Sequence, residues 1–230
     1  MSKHRAITMI GVALLVFQTA GAAQDGSAAP EHTAMAMSGD EHAHHHANGM
    51  HMSGDEHAAH RAAMSTTRYT VSNKEYDIPD VALIDADGAS MRLRTILNTD
   101  KPVALNFIFT TCTTICPVMT ATFAQMQRKL GDKASNLQVV SISIDPEYDR
   151  PEVLKTYGRQ FHAGSNWTFL TGDSKDILTV LQSFETFAGS KMNHQPVTFL
   201  KHPGEQDWIR IDGLASGETL AQEVRTRLFN

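Results

Sequence analysis

From residue 69 onward the apolar positions of this chain arrive in short blocks whose spacing alternates between a strand period and a helix period. Residues 81–84 read as a strand, Asp87-Gly88 as a turn, and residues 91–93 as the partner strand. Residues 103–109 are almost wholly apolar, as a strand covered on both faces should be. Pro117 suits a first helical position. Met119, Phe123, Met126 and Leu130 follow it at helical spacing, and Gly131 ends the run. Residues 137–144 read as a strand with Val140, Ile142 and Ile144 on one face. Pro151 opens a second helix with Leu154, Tyr157 and Phe161 along one side. Residues 167–170 form a short strand. Ser174 is placed to cap a helix carrying Ile177, Leu178, Leu181 and Phe184. Residues 197–200 and 208–211 pair around a turn at Pro203-Gly204, and Leu220, Val224 and Leu228 mark a terminal helix. Strands alternating with helices predict a layered α/β domain over residues 67–230, with a mixed central sheet flanked by helices.

The pattern before that domain is different. Residues 24–66 contain no Leu, Ile, Val or aromatic side chain, too little apolar surface to offset chain entropy, so this segment reads as disordered. Within it Met37-Ser38-Gly39-Asp40-Glu41-His42-Ala43 returns as residues 52–58. His32, His42, His44, His45, His46, His51, His57 and His60 are interleaved with Met35, Met50 and Met64. Thioether suits Cu(I) and imidazole suits Cu(II), zinc and nickel, so the tract reads as an auxiliary, weak copper-collecting segment; the plainer reading is a polar linker.

The first residues have the pattern of an export signal. Lys3, His4 and Arg5 precede an uncharged apolar stretch at 6–17, and Ala20-Gly21-Ala22 supplies small residues for cleavage, giving a leader of residues 1–23. The apolar core falls short of the ~20 residues of a membrane span. Cleavage is therefore favoured over retention as an inner-membrane anchor, and either outcome places the domain in the periplasm. With no Cys near residue 22, a bacterial lipid anchor is excluded, and no other segment is apolar enough to cross a membrane.

Composition adds two limits. A chain of 230 residues that is 41% hydrophobic can build one domain with a real core. Its net charge of −5 argues against nucleic acid as a partner.

The two cysteines of the chain sit together in Thr110-Thr111-Cys112-Thr113-Thr114-Ile115-Cys116-Pro117, between an apolar strand and a helix start. Four positions apart, they fall on one side of a helical turn. Backbone N–H groups and the helix dipole there favour thiolate, the form that binds metal and attacks disulfides. A defined metal site needs a third ligand, and the domain offers His162, His194 and His202. His162 ends a helical pattern and His202 sits beside Pro203. His194 lies in a loop just before an apolar strand, where loops at strand ends meet helix N-termini, and is the best of the three. Taken alone, a loop histidine is more often solvated. Two Cys and one His suit Cu(I), and trigonal Cys/His sites also hold Cu(II); structural zinc would want a fourth ligand. Met119 and Met126 read as core. Met192, beside His194, is not counted as a donor. Asp145, Glu147 and Asp149 read as an acidic loop capping the helix at Pro151.

Phe109-Thr110-Thr111-Cys112 through Cys116-Pro117, then Ser143-Ile144-Asp145-Pro146-Glu147-Tyr148-Asp149, then Trp167 with Leu170-Thr171-Gly172, then His194, resemble the Sco/SenC proteins in order and spacing. The resemblance runs from Ile78 to the C-terminus and leaves out the His/Met tract. It implies a thioredoxin-like fold, one copper held by Cys112, Cys116 and His194, and a part in assembling the copper centre of cytochrome c oxidase. Asp145 would stand near the site for orientation or partner recognition. Many of these proteins carry Asp just before the ligand His, where this chain has Asn193. In thioredoxins a cis proline faces the cysteine pair, which makes Pro196 a candidate for a cis bond.

Two functions therefore compete. One is a copper chaperone, a monomer that passes copper to a cytochrome c oxidase subunit or another cuproprotein. The other is a thiol–disulfide oxidoreductase that uses Cys112 and Cys116 as its redox pair to reduce the acceptor's cysteines. The spacing is one residue longer than the Cys-x-x-Cys of such enzymes, which favours metal. A peroxidase matches the local motif poorly, and an inert pair is an unusual occupant of such a loop.

Overall fold

The structure, a computed structural model, describes residues 69–229. The expected leader or anchor and the His/Met tract with His42, His44, His45, His46, His51, His57 and His60 lie outside the described residues.

Eight strands form one mixed sheet: β1 (Tyr69–Glu75), β2 (Ala82–Asp85), β3 (Ser90–Arg92), β4 (Val103–Ile108), β5 (Gln138–Ser143), β6 (Trp167–Thr171), β7 (Val197–Lys201) and β8 (Asp207–Gly213). Their spatial order is β1-β8-β7-β4-β5-β6-β2-β3. β4, β5 and β6 are parallel, and β7 runs antiparallel to β4. The helices are α1 (Leu93–Leu97), α2 (Ile115–Leu130), α3 (Pro151–Gln160), α4 (Ser174–Ser183) and α5 (Gly217–Leu228). This is the mixed α/β, thioredoxin-like arrangement expected from the sequence.

All six residues of β4 are buried, which explains its unbroken apolar run. Successive side chains leave the strand on opposite faces. Ala104 and Ile108 join Phe123 and Met126 of α2, Leu154 of α3 and Val224 of α5 in one core layer. Leu105 and Phe107 join Leu97 of α1 and Val180 of α4 in the other. The second layer contains an aromatic cluster in which the Phe199 ring lies 5.1 Å from Phe184, 6.0 Å from Phe107 and 6.3 Å from Trp208, centroid to centroid. Each such buried side chain contributes about 1.5–3 kcal/mol of transfer free energy.

Pairing also decides which loops meet. Ile108 is in register with Ser143, so β4 and β5 end side by side. Asn106 of β4 faces Thr198 of β7, so the antiparallel strand starts where β4 ends. The loop after β4 carries Cys112, the loop after β5 carries Asp145, and the loop before β7 carries His194.

Some local expectations shift. α2 starts at Ile115, before Pro117, so Pro117 is the third helical residue, where an N–H still has no partner one turn back. Cys116 is thereby drawn into the first turn. Ser174 is the first residue of α4, and Asp173 holds the cap position without a side-chain bond. Residues 93–97 form a short helix instead of continuing β3. β1 was not anticipated: its pattern is mostly exposed, and it forms by pairing with β8 from Tyr69↔Gly213 to Glu75↔Asp207. No described peptide bond is cis, so Pro196 is trans. The turns at Gly88 (φ 86°) and Gly204 (φ 78°) use the left-handed conformation that glycine adopts freely. No described helix is long and apolar enough to cross a membrane.

Candidate metal centre

The cysteine loop leaves β4 at Phe109, whose carbonyl accepts the Cys112 N–H at 3.2 Å. The loop is anchored from below by Asp149, which has no exposed surface. One carboxylate oxygen accepts the Thr110 N–H at 3.0 Å and the Ser143 hydroxyl at 2.6 Å. The other accepts the Thr110 hydroxyl. This carboxylate therefore ties the end of β5 to the start of the cysteine loop. By its position before Pro151, Asp149 reads as part of a helix-capping loop. In fact Arg150 holds the α3 cap position with no side-chain bond, and Asp149 turns inward.

The two thiols differ sharply. Burial pushes the Cys112 thiol up, but the Cys116 and Thr114 amides and the Thr114 hydroxyl outweigh it and bring the thiol down to about 7. The Cys116 N–H donates to Cys112 Sγ at 3.4 Å, and Thr114 Oγ1 lies 3.7 Å from the same sulfur. Cys116 has no exposed surface. Burial pushes its thiol up to about 12, with the Cys112 sulfur and the Asp149 carboxylate adding to the effect against a Phe109 backbone bond that lowers it. Beneath it, the Thr120 hydroxyl donates to the Cys116 carbonyl at 2.9 Å and lies 2.9 Å from the Tyr157 hydroxyl.

His194 is buried, unlike the solvated histidine a loop position suggests. Its Nε2–H donates to the Phe107 carbonyl at 3.2 Å, since a carbonyl can only accept. That bond assigns the tautomer and leaves the Nδ1 lone pair free. Burial holds the imidazole pKa below its ordinary value, and the Phe107 bond only partly opposes this. A neutral ring is what a metal requires.

Cys112 and His194 line one cleft of about 360 Å³, together with Met192 and Pro196. Cys116 is buried and does not line it. His162 is exposed and His202 sits at the β7–β8 turn, so neither joins the group. In this conformation no three His, Cys, Asp or Glu side chains among the described residues converge on one point. The cleft itself offers the Cys112 sulfur and the His194 imidazole, with the Cys116 sulfur buried in the adjoining helical turn; sulfur and imidazole donors fit copper better than magnesium or calcium.

Asp145 is largely buried and does not itself line the cleft, but it is bonded to two residues that do, Thr111 and Lys191. Its Oδ2 accepts from Lys191 Nζ at 2.5 Å and from the Thr111 hydroxyl at 3.4 Å. Lys191 had no signal in the sequence, because its partner is 46 residues away.

The SCO1/SenC family model matches residues 72–228. The chain is 34% identical over 113 residues to the SCO1 protein homolog of Bacillus subtilis (strain 168), a match covering 48% of this chain and 58% of that relative. The chain thus spans little more than half the length of that relative. Among solved structures it is similar to BsSco, described as a Sco-family cytochrome c oxidase assembly protein with a disulfide switch: 27% identity, TM-score 0.56, over 67% of this chain and 90% of that one. It shares its fold with Bradyrhizobium japonicum ScoI, solved with copper bound, at 21% identity and TM-score 0.53, over 68% of this chain and 99% of that one.

Proposed function

The chain belongs to the SCO1/SenC family, and on that premise we propose that it is an extracytoplasmic copper chaperone that holds copper with Cys112, Cys116 and His194. The observation that carries this reading is the shared cleft: Cys112 and His194 face the same space, and the buried Cys116 donates its N–H to the Cys112 sulfur. The free Nδ1 of a neutral imidazole and a thiol poised at about 7 are both in the state a soft ion needs. Binding would draw the three donors together on Cu(I) or Cu(II), and ligand exchange at the open side of the cleft would pass the ion on. The acceptor in this reading is a cytochrome c oxidase subunit or another cuproprotein, because the similar BsSco is an oxidase assembly protein. The protein works as a periplasmic monomer, soluble after cleavage of residues 1–23 or held by them at the inner membrane. The His/Met tract at 24–66 collects copper weakly and raises its local concentration.

A second reading rests on the thiol asymmetry. Cys112, low and at the cleft, attacks a sulfur of an acceptor disulfide, forming a mixed disulfide and releasing one acceptor thiolate. Cys116 then gives up its proton and attacks Cys112 Sγ. A Cys112–Cys116 bond forms and the second acceptor thiol leaves reduced. Copper on the two sulfurs blocks this path, and their oxidation blocks copper.

The deciding experiment is the copper content and optical spectrum of the reduced, copper-loaded protein beside His194→Ala. One tightly held copper per chain, with a thiolate-to-Cu(II) band lost in the variant, supports the chaperone. No tightly held copper, together with a reversible Cys112–Cys116 disulfide, makes the protein an oxidoreductase and removes His194 from the site.

A further inference from the structure

We propose that Lys191 is a positioning residue for His194, clasping the histidine turn to the cysteine loop through Asp145. The proposal rests on the reading above in which His194 is a ligand.

Three loops meet at one carboxylate oxygen. Asp145, on the loop after β5, accepts from Lys191 Nζ at 2.5 Å and from the Thr111 hydroxyl at 3.4 Å through the same Oδ2. Thr111 adjoins Cys112. Lys191 opens the 3-10 turn Lys191–Asn193, whose carbonyl accepts the His194 N–H at 3.2 Å. The ammonium also lies 5.8 Å from the centroid of the Phe109 ring, at the root of the cysteine loop. A displacement of Lys191 is therefore a displacement of His194 relative to Cys112.

The pair is half-sheltered: the Lys191 side chain is 42% exposed and that of Asp145 10%. An ion pair of this exposure does little for global stability. Its geometry matters for a different reason. His194 comes before its strand begins, and the Phe107 bond fixes only one side of its ring. The clasp supplies a second constraint, so that less ordering is left to be done when the ion arrives.

The test is a double-mutant cycle in the full chain, with Cu(I) affinity measured by competition with a chromophoric Cu(I) chelator. The proteins are wild type, Lys191→Leu, Lys191→Arg, His194→Ala and the Lys191→Leu/His194→Ala double variant. The leucine keeps part of the apolar stem and removes the charge without adding a copper donor. Any copper held by residues 24–66 is common to all five and cancels in the comparison. Lys191→Leu is expected to weaken copper about five- to tenfold in the wild-type background and to have no effect beside His194→Ala, since it acts through the imidazole. Lys191→Arg should retain most of the affinity. The proposal is overturned if Lys191→Leu costs nothing in wild type, or costs the same in both backgrounds. If His194→Ala binds copper as tightly as wild type, the ligand reading itself falls, and the role of Lys191 falls with it.

Discussion

The backbone N–H of Cys116 points at the sulfur of Cys112, 3.4 Å away. One cysteine thus helps stabilise the thiolate of the other at the head of α2. The arrangement is asymmetric, because the Phe109 backbone bond that lowers Cys116 does not offset its burial. The consequence for metal-free protein is a large difference in reactivity. Iodoacetamide should modify Cys112 at a rate that rises through a midpoint near pH 7, because thiolate appears as pH exceeds the pKa of about 7. Cys116, pushed up to about 12, should stay unmodified through neutral pH. Mass spectrometry of the alkylated peptides reads both, and equal labelling at pH 7.5 would refute the asymmetry.

From a fully buried position Asp149 accepts from three groups, the Thr110 N–H, the Thr110 hydroxyl and the Ser143 hydroxyl. Asp149→Asn places an NH₂ donor where an acceptor is needed. The expected cost is about 2–3 kcal/mol, of the size measured when a buried hydrogen-bonded charge loses its partners. Urea unfolding checks it. A change below about 0.5 kcal/mol, typical of an ordinary surface position, would mean that the carboxylate does not hold the loop.

His194 sets an acid limb on stability. Its pKa in the folded protein lies below the ordinary imidazole value, chiefly because it is buried. The unfolded chain therefore takes up this proton first as pH falls. The stabilising effect of the neutral ring is complete above the ordinary value and is lost as pH drops toward the folded one. His194→Gln has no such proton to take up. The urea midpoint of the wild type should fall more steeply than that of the variant between pH 7 and pH 5. Parallel curves would place the acid sensitivity elsewhere.

Deleting residues 24–66 tests the tract separately from the cleft. The shortened chain should keep one copper through dialysis against a weak chelator and lose the further, loosely held equivalents of the full chain. Loss of the tight copper as well would put the main site in the tract.

Much of the sheet could be read directly because its residues obey local rules. β4 is buried on both faces and carries no alternation to misread. α2 repeats Met119, Phe123, Met126 and Leu130 at helical spacing, and all four are buried. β1 escaped because most of its residues are exposed; only pairing with β8 makes it a strand. The start of α2 is not legible from Pro117, which is acceptable anywhere in the first turn; the loop geometry selects the third position.

The sequence by itself determined the α/β layering, the pair of cysteines at a helix start and the short set of candidate histidines, since all of these follow from spacing and residue type. Tertiary structure decided which histidine joins the cleft. β7 runs antiparallel to β4, and this brings the loop before it, with His194, to the end of β4. It also turned Asp149 inward beneath the cysteine loop and set Lys191 against Asp145. Finally, it separated the two thiols by placing one at a cleft and the other in the core. None of these is a local property: burial and long-range pairing set them, and a linear pattern of residue types does not contain either.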